Sequence, residues 1–129
     1  MIDDHNIEIV DAHHHFWDLK KNYYPFLCDK IDLDFFLGDY EIIWQNYLLV
    51  DYKRDAKNHN IIGTIHCEAE WDRNDQIGET EWIEDLARRN KFPNAIIGHA
   101  WFNTKNTETI IAEQASFDMV NSIRSKPQM

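Results

Sequence analysis

The chain is poor in the residues that would let it be something other than an ordinary folded domain. It has two cysteines in 129 residues, Cys28 and Cys67, too few for a disulfide scaffold and without the paired spacing of a metal finger. Cys67 reads as a small buried side chain, the common fate of a free cysteine. With four glycines and three prolines there is no linker and no low-complexity tract, and no internal repeat is visible. No apolar run approaches the roughly 20 residues of a membrane span, and the N-terminus lacks the basic-then-apolar order of a secretory leader. The default expectation is therefore a cytoplasmic protein. Basic residues are outnumbered, 13 against 23 acidic, for a formal charge of −10. That balance argues against nucleic acid or an anionic membrane as a general partner.

What is present is an alternation of apolar runs and amphipathic stretches. Ile7-Glu8-Ile9-Val10 reads as a strand that runs into Asp11-Ala12-His13-His14-His15-Phe16-Trp17-Asp18. Residues 18–49 form a long stretch with Tyr23, Tyr24, Phe26, Phe35, Phe36, Tyr40, Trp44 and Tyr47, and with Gly38 as a turn. Its aromatic content argues against disorder. These rings either fold over a site or plug the top of the core. A short helix is predicted over 50–59, with Asp51 near its start where a carboxylate suits the helix dipole. A second strand over 61–70 alternates Ile61, Gly63, Ile65, Cys67 and Ala69 with Ile62, Thr64, His66, Glu68 and Glu70. Its polar set suits a site lining or a solvated antiparallel strand equally well. A helix over 79–91 carries a Trp82, Ile83, Leu86, Ala87 stripe and the pairs Glu84 with Arg88 and Asp85 with Arg89. A third strand over 95–102 puts Ile97, His99 and Trp101 on one face, where His99 is either a core residue or part of a site. A helix to about 115 and a fourth strand over 117–123, ending at Arg124, complete the order. Such alternation is what a parallel sheet with crossover helices needs.

In an unbroken strand Ile9, Asp11, His13 and His15 project together, and Val10, Ala12 and His14 oppositely. Two neutral imidazoles delivered to one point can chelate a divalent ion, and an acid beside them helps to fix tautomer and charge. The bland alternative is a set of surface histidines near a flexible terminus, or a tag scar.

Asp11-x-His13-x-His15 followed by Phe16-Trp17-Asp18 resembles the first-strand signature of the metal-dependent amidohydrolase superfamily. More narrowly it is similar to the branch of sugar-lactone and 2-pyrone-4,6-dicarboxylate lactonases. Later blocks in matching order extend the likeness along the chain: Tyr24-Pro25-Phe26-Leu27, His66-Cys67-Glu68-Ala69-Glu70-Trp71, Glu79-Thr80-Glu81-Trp82 and Ile123-Arg124-Ser125-Lys126-Pro127.

The resemblance implies an α/β fold, the (β/α)8 TIM barrel, with its site at the carboxyl ends of the strands. Such a barrel needs about 250 residues, so 1–129 reads as a single partial domain, an N-terminal half with about four parallel strands. On this reading His13 and His15 are metal ligands, for zinc or manganese, in a branch where a tightly held metal is not universal. His66, Glu68, Glu70, His99 and Arg124 gather at the same rim to bind a small lactone or carboxylate, Arg124 by a bidentate clamp. Glu68 and Glu70 also have the plain alternative of surface acidity.

The family completes its site with histidines from later strands and a final aspartate, positions outside 1–129. Little activity is therefore expected of these residues alone. The parent activity implied is hydrolysis of a cyclic ester, with an amidohydrolase-family decarboxylase as rival. A non-catalytic half-barrel that pairs with itself through exposed strand edges, as a homodimer, is the reading from another class.

Overall fold

In a computed structural model, residues 7–29, 34 and 38–126 are described. The expectations for 1–6, for Phe35 and Phe36 and for 127–129 lie outside them. The elements run β1 (Glu8–His14), α1 (Pro25–Cys28), a 3-10 turn at Glu41–Ile43, α2 (Leu49–Asp55), β2 (Asn60–Cys67), α3 (Gly78–Asn90), β3 (Ala95–His99), α4 (Thr107–Gln114) and β4 (Val120–Arg124). The four strands form one parallel sheet in the order β1-β2-β3-β4. An α/β architecture with helices between successive parallel strands is thus present. Element ends differ from expectation by a few residues. The first crossover helix stops at Asp55, and the second and third strands stop at Cys67 and His99.

Register identifies the face that the helices cover. His14 pairs with His66, His66 with Ile96, and Gly98 lies two residues beyond Ile96 on the same side. The His14 ring lies 5.0 Å from that of Tyr52 on α2, and His66 Nε2 is 2.9 Å from Glu79 Oε1 on α3. A Cβ on Gly98 would sit 2.7 Å from the side chain of Gln114 on α4. All three helices therefore cover one face of the sheet, as same-handed crossovers require. Phe16, Leu49, Tyr52, Ile83 and Ile96 form the core between them. The opposite face carries Ile65, Cys67, Ile97, His99, Ser122 and Arg124.

Two expectations about side-chain direction are corrected by this geometry. In β1, Asp11 does not share a face with His13 and His15: its Oδ2 accepts the Tyr52 hydroxyl at 2.9 Å, on the α2 side with His14. The register shifts between Asp11 and His14, and such a bulge reverses the alternation that a regular strand would keep. In β2, Thr64 and His66 are the residues that pack under the helices, both buried, and Cys67 lies on the opposite face. From Gly63 to Cys67 the alternation is as read, but the two faces are exchanged; Ile61, across a register shift, packs against the helix-side core and so departs from the alternation. The helix-covered layer accepts the polar residue because His66 finds a partner in Glu79.

Gln114 seats the last helix. It is fully buried, its amide donates to Gln76 O at 3.0 Å and His99 O at 2.9 Å, and its oxygen accepts the Thr80 hydroxyl at 2.7 Å. Truncating it leaves buried groups unpaired, at about 1–3 kcal/mol for each group that stays dry. Gly98→Ala forces the same contact apart and should cost roughly 1–3 kcal/mol. Because both changes act on one contact, the double variant Gly98→Ala/Gln114→Ala is expected to lose clearly less stability in urea unfolding than the two losses summed. Strict additivity would show that the glycine is not required by Gln114.

Candidate functional site

The carboxyl end of β1 brings His13 and His15 together despite the bulge: their Nε2 atoms are 3.2 Å apart. His15 Nδ1 lies 2.8 Å from the carbonyl oxygen of Cys67. A carbonyl only accepts, so Nδ1 carries the proton. Burial pushes the His15 pKa down to about 4, so near neutral pH the ring is uncharged and its Nε2 presents a bare lone pair. Two nitrogens on one tetrahedral zinc, each at about 2.0–2.1 Å, stand about 3.3 Å apart. The observed spacing matches that separation; in the metal-free chain His13 Nε2–H donates to His15 Nε2, and chelation requires that proton to leave His13 Nε2 for Nδ1. The acid beside the pair works otherwise than expected: Asp11 Oδ1 accepts the His13 backbone N–H at 3.1 Å. It shapes the turn of the chain, and the tautomer is fixed by Cys67.

The aromatic segment contributes directly. Trp17 stacks on His15 with ring centroids 6.2 Å apart, and is held by its indole N–H on Gln45 O at 2.7 Å and by backbone pairing with Tyr47. Tyr24, Leu27 and Ala69 form a second buried cluster, with Trp44 and Trp71 packed against it. Between these rings and the strand ends lies a cleft of about 220 Å³, bounded by His15, Trp17, Phe26, Glu70, Arg124 and Lys126. The segment thus both fills space and walls a cleft.

Around that cleft the charged residues are paired within the chain. Arg124 Nε donates to Glu68 Oε1 and its Nη2 to Glu68 O, both at 2.6 Å. The edge expected to clamp a substrate carboxylate is thus engaged with Glu68, itself 1% exposed. Lys126 sits 2.7 Å from Glu70, whose φ of 57° is uncommon for a residue other than glycine. His99 packs edge-on to Trp101 at 4.6 Å, and burial lowers its pKa.

His66 is set beneath this rim, fully buried. Its Nδ1 accepts the Phe16 N–H at 3.3 Å, so its proton resides on Nε2, which donates to Glu79 Oε1 at 2.9 Å; the same oxygen accepts the Ala69 N–H at 2.8 Å. Burial drives the His66 pKa down to about 3 and, with help from the Glu68 charge, drives that of Glu79 up. The pair braces the backbone on both sides of the site, at Phe16 after His15 and at Ala69 after Glu68. Sequence reasoning gave Glu79 no part in the site, placing it at a helix start and in one of the blocks that carry the resemblance, and missed that Cys67 faces the two histidines. The only signal for Cys67 was its parity with Ile65 in an alternating strand.

The chain is 36% identical over 119 residues to an uncharacterized protein, y4mH, of Sinorhizobium fredii (strain NBRC 101917 / NGR234). That match takes in 92% of this chain and 40% of the relative, so the chain spans well under half of the relative's length. No family model and no solved structure matches.

The buried groups set a pH dependence. His14 and His66 are pushed down to about 3 and His15 to about 4, in each case chiefly by burial, from an unfolded value of 6.5. As pH falls below about 6.5 the unfolded chain takes up these protons first, so stability present above that pH is lost progressively toward 4 and below. Glu79 acts oppositely: its raised folded pKa adds stability at low pH that is lost as pH rises through it. Three imidazoles outweigh one carboxyl. In metal-free protein the urea midpoint should be lower at pH 5 than at pH 7, and Glu79→Gln, which keeps both accepted hydrogen bonds, should make the drop larger. A flat profile would contradict the assignment of three buried neutral imidazoles.

Proposed function

We propose that the chain forms the first four strands of a (β/α)8 barrel hydrolase of the amidohydrolase type. The whole protein would hydrolyse a lactone, the cyclic ester of a sugar acid or a related carboxylic acid, by attack of water on the carbonyl. The observation that carries this reading is the convergence of the two Nε2 atoms at 3.2 Å, with the tautomer of His15 set by a backbone carbonyl. Four parallel strands whose helices all lie on one face, and whose carboxyl ends share one rim, support the half-barrel.

A divalent ion held by His13 and His15 supplies Lewis acidity toward an ester carbonyl and toward water. The chain's own groups do the rest. Trp17 and Phe26 offer apolar walls that suit the ring of a small cyclic ester, in a cleft of fitting size. Arg124 and Lys126 are held at the cleft by Glu68 and Glu70, so an acidic substrate would have to compete with these carboxylates for the two cations. Glu79 and His66 keep the strand ends rigid.

A second reading, self-association through the open face and strand edges, draws on Val10 and Ile62, which are 56% and 50% exposed. Light scattering separates the two, since a stable dimer favours self-association.

Zinc affinity of the purified chain tests the centre. His13→Ala and His15→Ala should each weaken binding by roughly 10-fold or more, since even a residue behind a ligand commonly contributes that much, while circular dichroism stays unchanged. Equal affinity in wild type and variants would remove the chelate. Assay of a longer protein carrying this segment, against sugar lactones and aromatic carboxylic acids, decides between lactonase and decarboxylase.

A further inference from the structure

We infer that Cys67 is a third ligand of the His13 and His15 centre, and that it makes the site one for a thiophilic ion such as zinc rather than for manganese or magnesium. This rests on the two histidines being ligands. His13, His15 and Cys67 offer ligand atoms that all lie within 4.8 Å of one another. They come from the carboxyl ends of two adjacent strands, and the peptide carbonyl of Cys67 is itself what orients His15. Backbone and side chain of one residue thus serve the same ion. Cys67 is 1% exposed, so its thiol is set into the site and is not a stray surface group.

On a tetrahedral zinc, with Zn–N at about 2.0–2.1 Å and Zn–S at about 2.3 Å, nitrogen and sulfur stand about 3.6 Å apart. The longest separation in the cluster must therefore close by about an ångström. Rotation about the Cα–Cβ bond of Cys67 moves Sγ by more than that and leaves the carbonyl in place. On binding, the S–H proton passes to solvent and the thiolate bonds to the ion. Three protein ligands leave one position open, the usual arrangement of a catalytic zinc, and two would make a weak site. Thiolate in the donor set selects against hard oxygen-seeking ions.

The test uses the chain with Cys28→Ser, so that Cys67 is the sole thiol. Cobalt(II) should produce a thiolate-to-metal charge-transfer absorption in the near ultraviolet, which Cys67→Ser abolishes. Zinc affinity should fall roughly 10-fold or more in that variant, with manganese affinity little changed. X-ray absorption of the zinc-loaded Cys28→Ser chain should show a sulfur neighbour at about 2.3 Å. This last measurement needs no change at Cys67 and decides the matter if Cys67→Ser fails to fold. Cobalt bound without the sulfur band, or a zinc shell of nitrogen and oxygen alone, overturns the assignment of Cys67 and leaves the histidine pair standing. No cobalt bound at all overturns both.

Discussion

The hydrogen bond from His15 to the carbonyl of Cys67 joins the first strand to the second at the point where both end. It settles three things together. The proton is placed on Nδ1, Nε2 is left bare toward His13, and the last residue of β2 is fixed beside the pair. Without it a desolvated imidazole could turn over and present its N–H to its neighbour, and the chelating geometry would be gone. Much of the surrounding structure serves to keep this contact in register. The His66 and Glu79 pair holds Phe16, the residue after His15, and Ala69, two residues after Cys67, and Trp17 closes over the His15 ring.

The pair under the sheet is an unusual use of a buried imidazole and carboxyl. Each is shifted toward its uncharged form by burial, which lowers the cost of keeping both away from water. Both oxygen-directed donors converge on Glu79 Oε1, so one acid on α3 reads out the positions of two loops. That places a helix behind the sheet in contact with the front of the molecule through two hydrogen bonds, with no ion pair exposed to salt.

The order of strands and helices was legible in the chain because period-two and period-3.6 patterns differ plainly in Ile61 to Ala69 and in Trp82 to Ala87. The meeting of His13 and His15 was legible for the same reason, since residues two apart share a face. What periodicity does not contain is which face turns inward. Thr64 and His66 look like lining residues, yet they are covered by helices; for His66 the hydrogen-bonding need is met by Glu79, 13 positions away. Nor does it contain a bulge: Asp11 belongs with His14 through one irregular pairing step, and nothing in its neighbours' chemistry marks that step. The role of Gln114 was invisible too, as its three partners come from three separate segments.

That glutamine has a wider meaning. Its amide is satisfied by the segment before α3, by the end of β3 and by a side chain within α3. None of these contacts can open alone without leaving a dry polar group behind, so the final helix should not peel away by fraying. It should come off with its neighbours as a single cooperative block, and slow amide exchange would then extend from α4 into the strand that carries His99.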